Sequence, residues 1–220
     1  FLLMSQPKEA GERLPPLVLL APVRIATAEA QVAGLGLTLQ GFLVSEIAND
    51  PILAVGYLGD ERQDLSQNAR ENRAVYLLSV SIVTDSERWS VSANLQDGRS
   101  RTVLWSRSET VRAAATDSLT WAYELSQQLA TGITDPFGIV SRNELALSSD
   151  HPPASRQCMI WLRQSHVSWT ADGLRRFADC AARLPNGRES DNAMALALMA
   201  RGNYTAARWM GDPERARRLE

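Results

Sequence analysis

The amino-acid sequence predicts an α/β (α+β) fold: a mixed sheet of about five strands with a β-hairpin, covered by helices and followed by an all-α helical-repeat segment. Three observations point to it. Apolar positions switch between helical spacing and period-two alternation along the first part of the chain. The hairpin dipeptide Asp97-Gly98 stands between two alternating runs, and beyond residue 154 only helical spacing remains. At 220 residues and 45% hydrophobic content the chain can bury a core, as one large domain or two small ones.

Residues 1–16 read as a linker with a juxtamembrane place, because Pro7, Gly11, Pro15 and Pro16 with mixed charge favour extended chain. The apolar opening Phe1-Leu2-Leu3-Met4 fits the end of a removed membrane or signal segment and equally an arbitrary boundary. Leu17-Val18-Leu19-Leu20 is a continuous apolar run of strand length, as in a strand buried on both faces. Over 29–49, Val32, Leu35, Leu39, Phe42, Leu43 and Ile47 recur at helical spacing, and Asn49-Asp50-Pro51 ends that helix. A short apolar strand over 52–57 follows, then a weakly amphipathic helix up to Arg73 carrying Leu65 and Ala69.

From residue 74 the period becomes two. Tyr76, Leu78, Val80 and Ile82 share one strand face, while Trp89, Val91, Ala93 and Leu95 alternate with Ser90, Ser92 and Asn94. Asp97-Gly98 turns the chain into a returning strand over 102–106. A long helix from about Arg112 to Ile133 is expected to bury Ala115, Leu119, Ala122, Leu125, Leu129 and Ile133, and a short helix covers 139–147. Residues 17–147 thus form the α/β domain. The polar, Pro-containing stretch 148–153 marks a boundary, and 154–220 form a tetratricopeptide-like segment with helices over 155–166, 171–184 and 191–201.

With 23 Lys and Arg against 25 Asp and Glu, the net charge of −2 offers no general attraction to phosphate backbones, so nucleic-acid binding by this chain is not expected. The longest apolar run, 14–23, is too short for a membrane span and is interrupted by Pro15, Pro16 and Pro22. No nucleophile elbow, phosphate loop or zinc-protease motif is present. Gly34-Leu35-Gly36 lies inside a helical pattern without the third glycine of a dinucleotide turn, and reads as close helix packing. His151, His166, Cys158 and Cys180 fit no standard zinc spacing, and Asp60, Glu61 and Asp64 suit a solvated helix start. No catalytic, cofactor or metal site is assigned, and the chain reads as a non-enzyme.

Recognition falls to tryptophan and arginine. Trp89 and Trp105 occupy strand positions that favour core packing, Trp105 between sheet and helix. A helical repeat offers a concave face, on which Trp161, Arg163, Arg175 and Arg176 are the partner-binding candidates; inter-helix packing for the tryptophan and solvated charge for the arginines are the alternatives. Cys158 and Cys180 are expected to form a disulfide. Each lies eleven residues from Trp169, the midpoint of the turn between two antiparallel helices, so the two positions stand level. The alternative is a pair of free, buried cysteines in a cytoplasmic protein.

In order along the chain, Leu17-Val18-Leu19-Leu20-Ala21-Pro22, Tyr76-Leu77-Leu78-Ser79-Val80, Leu95-Gln96-Asp97, Val103-Leu104-Trp105-Ser106 and the long helix after them resemble the TolB-amino-terminal-like α/β domain that often precedes tetratricopeptide-type helices. The resemblance covers 17–133. The sequence departs from the usual pattern at Ala21-Pro22-Val23, where a Pro-Phe pair is common, and its repeats lack the full consensus. The resemblance implies the periplasmic part of a single-pass inner-membrane signalling protein, with a winged-helix regulator or a nucleotide cyclase on the cytoplasmic side. The chain would then be a non-catalytic extracytoplasmic sensory or interaction domain. The alternative is a periplasmic scaffolding or envelope-assembly module. Its partner would be a protein, peptide or small molecule, or a second copy in a homodimer, with the membrane reached only through an upstream helix.

Overall fold

The structure is a computed structural model and describes residues 15–26, 30–50, 52–59, 74–84, 88–112, 117–146, 155–168 and 171–182. The element order is β1 (Leu17–Leu20), β2 (Arg24–Ala26), α1 (Ala30–Ala48), β3 (Ala54–Tyr57), β4 (Val75–Thr84), β5 (Arg88–Asp97), β6 (Val103–Arg112), α2 (Ser118–Thr134), α3 (Ile139–Ala146), α4 (Ser155–Ser168) and α5 (Ala171–Ala182). The expected linker over 1–14, the helix before Arg73 and everything beyond residue 182 lie outside the described residues.

The fold is α/β, with a mixed six-stranded sheet in the order β3-β1-β4-β5-β6 and β2 beside β4. β1 runs parallel to β3 and β4, whereas β4, β5 and β6 form an antiparallel meander. The extra strand is β2. Leu20 pairs with Leu78 and Arg24 with Ser81, so β1 and β2 follow the same edge of β4 on either side of Ala21-Pro22-Val23. Proline has no N–H for the ladder, which splits one strand into two; three residues with an exposed, half-buried, exposed pattern leave no periodic signal.

Alternation on β4 sorts the sheet into two faces. Tyr76, Leu78, Val80 and Ile82 join Val18 and Leu20 of β1 and Val91, Ala93 and Leu95 of β5. Onto this face pack Leu35, Leu39, Leu43 and Ile47 of α1 and Trp121, Ala122, Leu125, Leu129 and Ile133 of α2. Direct cross-strand partners such as Leu78 with Leu95 and Ile82 with Val91 carry the pattern across the sheet. On the opposite face Leu17, Leu19, Val75 and Leu77 form a second cluster, so β1 is buried on both sides as its unbroken apolar run predicts. Along β5 and β6 that face is polar, with the hydroxyls of Ser90 and Thr110 3.0 Å apart and those of Ser92 and Ser108 3.1 Å apart.

Two expectations change. β6 continues to Arg112, six residues past its expected end, and α2 begins only at Ser118. Asp117 fixes that start, because its carboxylate accepts hydrogen bonds from the Thr120 backbone N–H at 2.8 Å and the Thr120 hydroxyl at 2.7 Å. The same bonds hold the exposed Asp117 carboxyl below the usual carboxylate range. Leu119, expected in the buried stripe, lies in the first turn of the later-starting helix and is exposed; Trp121 takes its place.

Half-buried Trp105 lies between sheet and helix, with its ring against Gly132 of α2. A Cβ added at Gly132 would stand 3.0 Å from Cζ2 of the indole, so a side chain there would require the ring or the helix to shift by a few tenths of an ångström. Gly132→Val is therefore expected to cost about 1–3 kcal/mol by overpacking. In a denaturant-unfolding double-mutant cycle, Trp105→Ala should recover much of that cost; additive effects would show that the indole and Gly132 do not share this site.

Candidate functional site

The candidate site is the helix pair α4–α5. Cys158, Met159, Ile160 and Leu162 of α4 and Phe177 and Cys180 of α5 are buried, and all six belong to the same apolar cluster as the inner face of the sheet. Cys158 and Cys180 are joined by a disulfide with Cα atoms 5.4 Å apart, inside the range that this bond requires.

Arg163 projects from α4 toward the α/β layer. Its Nη1 donates to Asp50 Oδ2 at 2.7 Å and its Nη2 to the carbonyl of Thr134 at 3.1 Å, while the neighbouring Gln164 donates to the carbonyl of Pro136 at 2.7 Å. Asp50 also accepts the backbone N–H of Ile52 at 2.9 Å through its other oxygen. The residue that ends α1 thus holds a nearly buried carboxylate, which requires a cation and hydrogen bonds to remain inside. Arg163 supplies both, and ties α4 to α1 and to the end of α2.

The structure brings two other candidates together. The Arg176 guanidinium lies 5.2 Å from the Trp161 ring centroid, and its Nε is 2.9 Å from the carboxylate of Asp172 one turn earlier on α5. Trp161 is half-buried, Arg176 and Asp172 are exposed, and Arg175 is exposed on the same helix. This surface combines an aromatic ring with cations, a pairing common in protein interfaces.

A second polar cluster escaped sequence reasoning. The Tyr76 hydroxyl donates to Glu144 Oε1 at 3.1 Å and accepts from Asn143 Nδ2 at 2.9 Å, within the core between β4 and α3. Burial, then the Glu144 carboxylate, push the phenol above the ordinary tyrosine range. The signal was a tyrosine on an otherwise aliphatic strand face, since a buried phenol needs a partner. Each named polar group here has one, so the cluster is structural.

Gly36 of the excluded dinucleotide motif serves close packing, for a Cβ there would stand 2.5 Å from Ile25 Cδ1 on β2. Among the described residues no group of three His, Cys, Asp or Glu is placed to hold a metal, and no helix is long and apolar enough to cross a membrane. His151, Asp60, Glu61, Asp64, Trp169 and Trp209 lie outside the described residues, as does the side chain of His166.

No family model matches the chain, and no curated protein sequence matches it. Among solved structures it is similar to the PelC dodecamer from Paraburkholderia phytofirmans, at 15% identity and TM-score 0.40, covering 54% of this chain and 86% of that one. It is similar to TolB from Acinetobacter baumannii at 10% identity and TM-score 0.35, over 55% of this chain and 28% of that one. For the LpoB C-terminal domain from Salmonella enterica the values are 15% and 0.29, over 46% of this chain and 86% of that one. All three likenesses are partial.

Two outcomes test this geometry. Asp50→Ala, which leaves Arg163 without its counter-charge, is expected to cost about 2–4 kcal/mol in denaturant unfolding, below the loss for a fully buried pair because Arg163 retains some exposure. A cost under about 0.5 kcal/mol would mean that the tie is not formed. The raised phenol of Tyr76 gives a pH dependence: the unfolded chain loses this proton near pH about 10 while the native state keeps it. Its contribution is intact below that pH and falls as pH rises, by up to about 1.4 kcal/mol per unit. Tyr76→Phe should flatten this alkaline slope, and an identical slope in both proteins would contradict the assignment.

Proposed function

We propose that this chain is a non-catalytic interaction module of the bacterial cell envelope, working on the extracytoplasmic side as a scaffolding or assembly element. The observation that carries this reading is the Cys158–Cys180 disulfide. Such bonds persist in oxidising compartments and are rare in the cytosol. Closing a loop with a sequence separation of 22 residues contributes about 3 kcal/mol by restricting the unfolded chain. The surface formed by Trp161 and Arg176, with the exposed Arg175 on the same helix, is the proposed contact with a protein or peptide partner, Trp161 supplying apolar area and the arginines charge.

Within the same family resemblance, a sensory role would have the helical segment shift against the α/β layer when a ligand binds. The bonds from Arg163 and Gln164 to Asp50, Thr134 and Pro136 oppose that shift, which supports the scaffold over the sensor. A periplasmic place tethered to the inner membrane through sequence outside this chain is part of the proposal.

The test is thiol alkylation without reduction in cells carrying the native gene, followed by mass spectrometry, with protease accessibility after permeabilising the outer envelope. The expected result is two blocked cysteines and cleavage from the envelope side. Two freely alkylated thiols, or protection until the inner membrane is broken, would overturn the proposal.

A further inference from the structure

β6 (Val103–Arg112) is the last strand of the sheet, and among the described residues nothing pairs with its outer edge. At ten residues it is long for an edge. It also contains neither lysine nor proline, two of the residues with which proteins commonly block such edges.

We propose that β6 is the seam of a symmetric dimer in which it pairs antiparallel with β6 of a second copy of this chain, the two-fold axis passing at Ser108. An antiparallel pair related by a two-fold axis must place one residue opposite itself, so the registers available are few. With Ser108 opposite Ser108, Arg107 faces Glu109 of the second copy, Glu109 faces its Arg107, Ser106 faces Thr110, and Trp105 faces Val111. Sliding by one step of the pleat in one direction sets Arg107 against Arg107, and in the other Glu109 against Glu109. Only the Ser108 register among these three is free of like charges, and it creates two opposite-charge pairs.

The monomer already arranges these groups for the purpose. Arg107 and Glu109 lie on the same face of β6 with their charges 3.6 Å apart; Arg107 Nη2 also donates to Gln128 Oε1 of α2 within its own copy, and both side chains remain partly open to water. Across the seam the four charges would alternate in sign around the axis. Trp105 and Val111, half-buried against the core, would carry its apolar surface from one copy to the next, and Ser106, Ser108 and Thr110 would continue the hydroxyl rows of the opposite face. An edge that presents opposite charges to its own image selects a second copy over an unrelated strand.

Two measurements on the full chain test this. Directly opposite residues have Cα atoms about 4.5–5.5 Å apart, within disulfide range, so Ser108→Cys treated with an added oxidant should give a covalent dimer on a non-reducing gel. Ser106→Cys should not, because its own copy would lie about 13 Å away along the seam. In sedimentation equilibrium the unaltered protein should be a dimer. Arg107→Glu alone and Glu109→Arg alone should each shift it toward monomer by at least tenfold in dissociation constant, and the double exchange should restore dimerisation. A monomeric unaltered protein, equal cross-linking at both cysteine positions, or a dimer indifferent to the single reversals would overturn the proposal. Binding of a protein other than a second copy at this edge would overturn it as well.

Discussion

Burial of one face of β4 is the constraint on which the rest of the molecule depends. Tyr76, Leu78, Val80 and Ile82 are almost completely withdrawn from water, and they share one apolar cluster with residues of β1, β5 and the helices. β4 is also where the sheet changes character, with parallel partners on one edge and an antiparallel partner on the other. The parallel side needs a crossover, which α1 supplies between β1 and β3, and α1 then covers the face it has crossed. The antiparallel side needs no crossover, and the chain runs on as a meander whose last strand, among the described residues, has no partner on its outer edge.

A helix layer on one face leaves its ends to be secured. At the carboxyl end of α1 the chain does this with charge: Asp50 stops the helix, binds the backbone of Ile52 and receives Arg163 from far along the sequence. On α4 itself, a disulfide from Cys158 fixes α5 through Cys180. The two devices are complementary, since the ion pair acts between distant parts of the native state whereas the crosslink acts mainly on the unfolded chain. Together they leave Trp161 half-buried and Arg176 exposed on the pair, with the guanidinium against the ring.

Some of this was legible in the sequence, for reasons that differ by element. α1 and β5 announce themselves because one face of each is mainly apolar and the other is not, and β4 because its apolar inner face alternates with Ser79 and Ser81 after an apolar start buried on both sides. β2 is hidden by Pro22 and by its length, and β6 by lying at an edge, where polar residues occupy both faces and the alternation fades after Trp105. The start of α2 was misplaced because Ala113, Ala114 and Ala115 are strong helix formers, although Asp117 three residues before Thr120 is a proper cap. In the candidate site the cysteines could be matched by their equal distance from Trp169. The inward turn of Arg163 could not, because its partner lies 113 residues earlier and a buried carboxylate looks like any other aspartate in sequence. Tyr76 and Glu144, 68 residues apart, were hidden in the same way.

If β4 organises the core, its backbone amides should be the last to open. Native-state hydrogen exchange followed residue by residue is the direct measurement. Amides around Tyr76, Leu78, Val80 and Ile82 should exchange only through global unfolding, with opening free energies equal to the stability measured by denaturant, while those of β3, at the far edge of the sheet, exchange through smaller, local openings. Protection of β4 below the global value, or a β3 more protected than β4, would contradict this.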